Sequence, residues 1–337
     1  MNSKKIQEKI RVNFTFKPTS EQVEIINYIS EFVTTIGNRS IFMLKGYAGT
    51  GKTTLVAALV KALPVIGKRS ILIAPTGRAA KVLSKYSKKS TSTIHRKIYW
   101  IRTNKNGNTF IKLKENTHSN TVFIVDEASM IPENSEKGFG NRSLLEDLIK
   151  YVYNGIDCKL ILIGDKAQLP PVHLDISPAL NEQTLNLNYN KQVICKELTQ
   201  VVRQKKESFI LSNATKIREK ISNNDYSYPK FLTNKEVIRI NTGEDLQEAL
   251  ENAYANEGIN HTAILCRSNK RANQYNQQVR AKIRWQENEI SDGDKLMVVR
   301  NNYFWLKEMS NTKFIANGDI LDVVKIKQFI RLIRQRK

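Results

Sequence analysis

The sequence predicts an α/β fold in which helices cover a mainly parallel sheet. Four short apolar runs in the first half of the chain each have the length of one buried strand, and helical or irregular sequence separates them. This alternation is typical of parallel sheets with helices on their faces. A glycine-rich turn follows the first run and opens a helical stretch. The predicted strands are 41–44, 71–74, 122–125 and 160–163.

The composition points to a polyanionic partner. The 337 residues, 40% of them hydrophobic, suffice for two domains with cores, and the formal net charge is +22. Folding does not explain such a charge, because self-repulsion opposes compactness. Nucleic acid is the leading candidate partner. An anionic membrane surface is the weaker candidate, because Lys and Arg are spread along the whole chain.

Cysteine usage and the length of apolar segments bear on location. The three cysteines, Cys158, Cys195 and Cys266, lack metal-ligand spacing and are expected to be buried, reduced thiols of an intracellular protein. The N-terminus has no apolar region of the secretory type, and no segment approaches the length of a membrane span. We therefore expect a cytoplasmic location and no membrane partner.

The first residues are polar and basic, and we expect a loose arm over residues 1–18. Thr19 and Gln22 have the spacing of a capping box, so a helix is predicted to start near Thr19. Gln22 fits the N3 position of that box, and this position alone is enough to explain it.

Residues 46–54 match a phosphate-binding loop, with Gly46, Gly51, Lys52 and Thr53 at its fixed positions. Glycines let the backbone curl so that its N–H groups converge on an anion, while the N-terminus of the following helix faces the same phosphates. Lys52 is predicted to reach the β- and γ-phosphates, and the Thr53 hydroxyl to hold Mg²⁺. The alternative is a glycine-rich turn that binds nothing.

A stretch rich in aromatic and β-branched residues flanks Asn106 and Gly107 and is predicted to form an inserted hairpin. These two residues are a strong signal for a two-residue turn, which pairs Thr103 with Phe110 and puts Trp100 on the other face. Trp100 and Phe110, among lysines, suit stacking against bases. The alternative is that each aromatic side chain holds the hairpin to the body of the protein.

The second half of the chain is predicted to begin a second α/β domain. A polar and aromatic stretch without periodicity marks a linker near residues 222–229. Basic residues dominate 325–337, where a solvated, partly helical tail is expected. The predicted strands are 237–240, 263–266, 295–299 and 320–324, and the predicted helices run from 244 and from 271 to 283.

Two acids, Asp126 and Glu127, directly follow the third predicted strand, at the end where ligands bind in open α/β sheets. Asp126 is expected to hold Mg²⁺, and Glu127 to polarise the attacking water. Alone, such a pair is more often a solvated turn, but the phosphate loop before it favours the functional interpretation. Gln168 follows the fourth run before two prolines. Its amide suits sensing of a γ-phosphate, and an ordinary loop is the alternative.

Together these residues resemble a superfamily 1 helicase, and within it the superfamily 1B, 5′→3′ branch that contains Dda and RecD. The family motifs occur in order and at compatible spacing, and the resemblance covers roughly residues 19–324. The motifs are Gln22 as the adenine-sensing Q motif, 46–54 as motif I, 74–81 as motif Ia, 91–95 as the next DNA-contacting segment, 126–129 as motif II, 164–172 as motif III and 198–203 as motif IV.

The resemblance implies an ATP-dependent DNA helicase that translocates 5′→3′, with ATP and Mg²⁺ as cofactors and with single-stranded DNA and duplex junctions as partners. It implies that Gln168 couples a DNA groove to ATP, that Arg203 is an arginine finger, and that the hairpin is a pin that splits the duplex. A core histidine at position 95 and an ordinary surface cation at position 203 are the alternatives. The candidate residues are Lys52, Glu127, Gln168 and Arg203 for catalysis; Gln22, Gly46, Ala48, Gly49, Thr50, Gly51, Lys52, Thr53 and Thr54 for ATP; Thr53 and Asp126 for the metal; and Pro75, Thr76, Arg78, Thr93, His95, Trp100 and Phe110 for DNA.

The resemblance also predicts the domain organisation. We expect a RecA-like P-loop NTPase domain over 19–205, with the hairpin inserted at about 97–118, and an incomplete second RecA-like domain with the start of a small β insertion over 206–337. Family members carry a His-Lys-x-Gln-Gly motif and a final Thr-Arg pair in that second domain, and neither follows Arg203. We expect a fragment, or a domain completed in another way.

Two other functions are kept as alternatives to a helicase. One is a nucleic-acid-binding P-loop protein that binds ATP with weak or no DNA-stimulated hydrolysis. The other is a P-loop enzyme acting on a small substrate, which the charge of +22 argues against.

Overall fold

A computed structural model describes residues 2–37, 40–103, 109–132, 143–171, 174, 176–202, 208–299, 315 and 317–327; within 101–103 and 109–110 it describes the backbone only. The chain divides into two compact units. Unit 1 comprises Met1–Lys205 and Val298–Asp319, and unit 2 comprises Lys206–Met297 and Ile320–Lys337. No helix in the described ranges is both long enough and apolar enough to cross a bilayer.

Strands and helices alternate through most of unit 1. The described strands are β1 (Ser40–Gly46), β2 (Arg69–Ala74), β3 (Thr91–Thr93), β4 (Tyr99–Thr103), β5 (Thr109–Leu113), β6 (Thr121–Val125), β7 (Lys159–Gly164), β8 (Gln192–Leu198), β9 (Lys295–Met297) and β10 (Ile320–Asp322). The described α-helices are α1 (Asn2–Val12), α2 (Ser20–Thr34), α3 (Lys52–Ala62), α4 (Gly77–Ser87), α5 (Ile94–Ile98), α6 (Leu144–Tyr153), α7 (Glu182–Tyr189), α8 (Phe209–Ser222), α9 (Gly243–Asn256) and α10 (Asn269–Gln278).

The predicted α/β fold with a parallel sheet is confirmed. Six strands of unit 1 form one sheet in the order β3-β2-β6-β7-β1-β8, and every neighbouring pair in it is parallel. The four predicted apolar runs are β1, β2, β6 and β7 of this sheet. Because the strands run the same way, their carboxyl ends meet at one edge, where the phosphate loop and the acids follow them.

Helices cover both faces of the sheet. Alternate residues of β1 point to opposite faces, so Phe42 and Leu44 join one buried cluster with α1, α2 and α3. Ile41 and Met43 join a second cluster with α5 and α6. Each of these four side chains is fully buried. A strand buried on both faces accounts for the unbroken apolar run that predicts it.

The N-terminal segment is a helix, so the prediction of a loose arm is wrong for residues 2–12. Ile6 and Ile10 of α1 are fully buried, and α1 packs against α2 and α3. These isoleucines are four residues apart and therefore lie on one face of the helix, while most other positions of α1 are polar or charged. Two apolar side chains among many charges are enough to dock the segment on the core.

The predicted hairpin is present, but its predicted register is wrong. Thr103 pairs with Thr109, one residue away from its predicted partner Phe110. Tyr99 pairs with Leu113, which puts both on the same face; Tyr99 is buried and Leu113 packs against the core. A shift of one residue exchanges the two faces of a strand, so burial of this apolar face fixes the register.

Unit 2 contains α8, α9 and α10 and an antiparallel pair of strands. β9 and β10 confirm the strands predicted near 295 and 320, with Ile320 opposite Met297. The strands predicted at 237–240 and 263–266 are wrong: these residues form no ladder, and Ile238 and Leu265 are exposed. A strand needs a hydrogen-bonded neighbour, and the described residues supply none for these two segments.

Four predictions fall wholly or partly outside the described residues and stay predictions. They are the hairpin turn at Asn106 and Gly107, the side chain of Phe110, the arginine finger Arg203 and most of the tail, 328–337.

Candidate functional site

The glycine-rich loop connects the buried strand β1 to the first residue of α3. Gly51 immediately precedes α3 with φ of 89°, in the left-handed region that favours glycine. Without a side chain it places no capping group on the first N–H groups of that helix. A Cβ on Gly46 would lie 3.0 Å from the Cβ of Leu198. The loop is therefore a close-packed backbone cradle with helix N–H groups at its end, which fits a phosphate chain.

Gln22 ties helix α2 to this loop. Its Oε1 accepts a hydrogen bond from the N–H of Thr19 at 3.0 Å, and its own N–H donates to the Thr19 hydroxyl at 3.3 Å, which confirms the capping box. Its Nε2 also donates to the carbonyl of Thr50 at 2.9 Å. Gln22 is thus both the N3 partner of the box and a support of the loop backbone. Its contact with adenine stays a prediction.

The chain after β8 packs along the other side of the loop. The N–H of Tyr47 donates to the carbonyl of Leu198 at 3.2 Å, and the N–H of Val202 donates to the carbonyl of Gly49 at 3.0 Å. The carboxylate of Glu21 accepts the N–H of Thr199 at 2.9 Å. Glu21 is not among the predicted site residues, because only the fold brings α2 next to this distant segment.

Lys52 and the two acids lie close together at the carboxyl edge of the sheet. The Lys52 ammonium donates to the carbonyls of Gly46 at 2.5 Å and Tyr47 at 2.9 Å. Its positive charge lowers the pKa of both Asp126 and Glu127, against a larger raising effect of burial. A charge effect on both groups requires proximity, so the structure brings the predicted lysine and acids into one site.

The surroundings of Glu127 raise the pKa of its carboxyl group. Burial raises its pKa, and the negative charges of Asp126 and Asp165 raise it further. Its backbone has φ of 54°, a left-handed conformation that is costly for a residue with a side chain. Strained backbone of this kind is concentrated at functional sites, where it aims a side chain that relaxed geometry would turn away.

Asp165 is a site residue that the sequence does not single out. It follows β7 and is 1% exposed, and its Oδ1 accepts the N–H of Ala167 at 2.9 Å. Its carbonyl accepts the N–H of Gln168 at 3.2 Å, and the side chain of Gln168 is exposed. Asp165 therefore shapes the turn that carries Gln168 and adds negative charge beside Glu127.

The oxygen ligands at this edge suit Mg²⁺. Asp126 directly follows β6, and its Oδ1 accepts the N–H of Glu127 at 3.0 Å. Thr53 lies in the first turn of α3. A carboxylate with a hydroxyl is a usual protein contribution to Mg²⁺, whose other ligands are waters and substrate phosphates. Within the described ranges no three His, Cys, Asp or Glu side chains form a preformed metal cluster.

The residues predicted to contact DNA follow β2 and β3 at the same edge of the sheet. Ala74 of β2 is opposite Thr93 of β3, so Pro75 and Thr76 lie beside the start of α5. The Thr76 hydroxyl accepts the N–H of Ala79 at 3.2 Å and begins α4. Thr93 is 1% exposed, and its hydroxyl accepts the N–H of Arg96 in the first turn of α5. The structure corrects its predicted role, since Thr93 caps a helix and presents no side chain to solvent.

The remaining predicted DNA contacts differ in exposure. Arg78 is exposed on α4, and His95 is half-buried with its ring centroid 5.9 Å from that of Tyr99. Trp100 is 60% exposed, and the Lys114 ammonium lies 4.9 Å from its ring centroid. The alternative in which Trp100 holds the hairpin to the body is wrong, because the buried Tyr99 takes that position.

Comparison with known sequences settles the family. A family model described as an AAA domain (AAA_30) matches residues 20–227, which include the phosphate loop, both acids and the segment after β8. The chain belongs to this AAA domain family.

Two curated relatives of this AAA domain chain are named as helicases. The ATP-dependent DNA helicase dda of Enterobacteria phage T4 is 29% identical over 248 residues, which cover 71% of this chain and 52% of that protein. The ATP-dependent RecD2 DNA helicase of Deinococcus radiodurans is 29% identical over 154 residues, 46% of this chain and 18% of that protein. The predicted resemblance to the Dda/RecD-like branch of superfamily 1B is confirmed.

The chain is shorter than these relatives. It spans about half the length of the T4 helicase and a smaller share of the others. Among solved structures, the crystal structure of Pif1 helicase from Bacteroides in complex with ADP-AlF3 and ssDNA aligns with 85% of this chain and 61% of that chain, at a TM-score of 0.43 and 19% identity.

A substitution at Gly51 tests the cradle of this AAA domain. In Gly51→Ala the new Cβ would lie 2.5 Å from Gln22 Nε2, in a backbone conformation that costs a side chain about 1–2 kcal/mol. We expect loss of nucleotide binding, measured by titration with a fluorescent ATP analogue, and a lowered Tm. Gly67→Ala is the matched control, because Gly67 has φ of 71° with no atom within 4 Å of its Cβ position. It is expected to lower the Tm and leave nucleotide binding unchanged. Equal nucleotide binding by both variants would contradict the assignment.

Proposed function

We propose that this chain is the ATP-hydrolysing part of a DNA helicase that translocates 5′→3′ on single-stranded DNA. The observation that carries this proposal is a direct link between two sites: the N–H of Asp126 donates to the carbonyl of Ile73 at 3.1 Å. Ile73 lies on β2, two residues before Pro75 of the predicted DNA groove. The acid assigned to the metal and the strand assigned to DNA therefore share a hydrogen bond.

The nucleotide chemistry follows from the residues around the loop. The N–H groups at the start of α3 and the Lys52 ammonium bind the phosphates, while Thr53 and Asp126 hold Mg²⁺. When bound, Mg²⁺ neutralises charge on the β- and γ-phosphates. Glu127 accepts a proton from the attacking water, for which its raised pKa makes it a better base. Gln168 is proposed to contact the γ-phosphate, and Arg203, which lies outside the described residues, stays the predicted arginine finger.

The charge of the chain and the position of four residues in the fold support the proposed DNA groove. Pro75, Thr76, Arg78 and His95 follow two neighbouring strands at the edge of the sheet that also carries the loop. Hydroxyl and guanidinium groups suit contacts with backbone phosphates. The net charge of +22 supports a polynucleotide over a small substrate. The partners proposed are single-stranded DNA and duplex junctions, and the printed names of the relatives agree with this class.

A strand-displacement experiment tests the direction. Two duplexes that share one sequence are compared, one with a 5′ single-stranded tail and one with a 3′ tail. We expect ATP-dependent unwinding of the 5′-tailed substrate only. Preference for the 3′ tail would overturn the polarity. ATP turnover without unwinding of either substrate would favour the alternative, an ATP-binding protein that binds nucleic acid without acting as a motor.

A further inference from the structure

A second basic site lies at the opposite edge of the sheet. A cavity of about 470 Å³ opens at the amino ends of β2 and β6, where Arg69, Ser70 and Thr121 line it with Lys89 and His118. Because all strands of the sheet are parallel, this edge lies away from the phosphate loop and from the predicted single-strand groove. The residues of that groove do not line this cavity.

Of the cations that line this cavity, Lys68 pairs with Asp157, whereas Arg69 and Lys89 have no acidic partner among the described residues. Arg69 is exposed, the Lys89 ammonium donates to the Ser70 hydroxyl at 2.7 Å, and the Lys97 ammonium lies 2.9 Å from Nε2 of His118. Within the described part of the chain, none of these three cations forms an ion pair with Asp or Glu. Neutral partners orient the ammonium groups and leave their charges uncompensated.

These charges continue from the cavity to the base of the hairpin. Burial and the positive charges of Lys97 and Arg69 lower the pKa of His118. Burial and the positive charge of Lys97 also lower the pKa of the Lys114 ammonium. The Lys114 ammonium donates to the carbonyl of Arg96 at 2.7 Å and lies over the Trp100 ring. We name Arg69, Lys89, His118, Lys97 and Lys114 the basic strip.

Without a bound anion, the charges of the basic strip are electrostatically unfavourable. Like charges that share a half-buried surface repel one another, and burial removes the water that would otherwise stabilise them. A ligand that brings several phosphates relieves both costs at once. Folding alone gives no reason to collect four cations around a neutral histidine along one line of contacts.

The chemistry of the strip selects duplex DNA. Single strands are held by cations that alternate with aromatic side chains on which bases stack. Among the described residues of the strip, Trp100 at the far end is the exposed ring beside a cation. The His118 ring contacts Lys97 and packs against the buried Phe123. Cations and hydroxyls without stacking surfaces contact backbone phosphates and leave bases paired. We propose that the basic strip binds the phosphate backbone of double-stranded DNA, apart from the single-strand groove.

The inference rests on the proposed function in one respect, namely that the chain works on DNA. The test compares a blunt duplex with a single strand of the same length and measures how the binding constant depends on salt. Each lost phosphate contact lowers the slope of log K against log salt by about 0.9 on a duplex. The variant Arg69→Gln with Lys89→Gln removes two cations while keeping a donor for Ser70.

We expect the slope for the duplex to fall by about 1.8 in this double variant, with the slope for the single strand unchanged. Lys4→Gln with Lys5→Gln removes the same charge from the exposed surface of α1 and is expected to leave both slopes unchanged. Lys114→Gln, at the other end of the strip, is expected to lower the duplex slope by about 0.9. If the double variant has a lowered Tm, the duplex and single-strand slopes of Lys114→Gln are compared in its place.

Two results would overturn the inference: a duplex slope equal to that of the control variant, or equal losses on duplex and single strand. Failure of the proposed function has a different signature. It would appear in the unsubstituted chain as ATP turnover that single-stranded DNA does not change, whatever the duplex slopes are.

Discussion

Lys52→Ala lowers kcat/KM for ATP hydrolysis by about 10³-fold, because it removes the cation that stabilises charge on the transferred phosphoryl group. The Lys52 ammonium lies at the loop carbonyls of Gly46 and Tyr47 and acts electrostatically on both acids. Lys52 is the one Lys or Arg in residues 46–54. Steady-state phosphate release at saturating and at low ATP measures the effect.

The matched control for this prediction is Lys61→Ala. Lys61 lies in the last turn of the same helix and is exposed, so its loss changes the net charge equally without touching the loop. Its turnover is expected to equal that of the unsubstituted chain. Unchanged hydrolysis in Lys52→Ala would remove the claim that residues 46–54 bind the phosphates.

Glu127→Gln stops hydrolysis and leaves ATP binding intact. The substitution keeps the shape of the side chain but removes the base that accepts the proton of water, an effect of about 10²–10⁴-fold on kcat. The dissociation constant for ATP, measured separately by titration, is expected to change little. Glu31→Gln, an exposed glutamate of α2, is the control. Turnover that survives in Glu127→Gln would show that Glu127 does not activate the water.

The same carboxylate predicts a pH dependence. Glu127 acts as a base only when ionised, and its pKa lies above the usual value of about 4.3 for glutamate. The rate is therefore expected to fall as pH decreases through this raised pKa, above the pH at which an ordinary glutamate titrates. Asp165→Asn removes one of the charges that raise this pKa and is expected to move the fall in rate to lower pH. A rate profile that Asp165→Asn leaves unmoved would contradict the coupling.

The sequence predicts the central part of the sheet because local signals and burial agree there. β1, β2, β6 and β7 are buried on both faces, so their apolar runs are unbroken and stand out. β8 is only half-buried and β3 has three residues, and neither produces a comparable run. The strands predicted at 237–240 and 263–266 have suitable composition but no hydrogen-bonded neighbour in the described chain, which no local pattern reveals.

In the candidate site, too, local sequence signals identify some residues, and tertiary contacts alone identify others. Lys52, Asp126 and Glu127 are predictable because motif spacing and strand ends carry them, and the fold brings them together. Glu21 and Asp165 act through contacts with distant segments, so their roles emerge only with tertiary structure. Thr93 shows the opposite case: a polar residue in a matching motif caps a helix and is buried.

We propose that ATP hydrolysis at the phosphate loop is coupled to DNA binding in the groove after β2 and β3. ATP turnover by this chain, measured with and without added single-stranded DNA, tests it most directly. Single-stranded DNA is expected to raise turnover, and Lys52→Ala is expected to abolish turnover in both conditions. Turnover that depends on Lys52 but is the same with and without single-stranded DNA would contradict the claim.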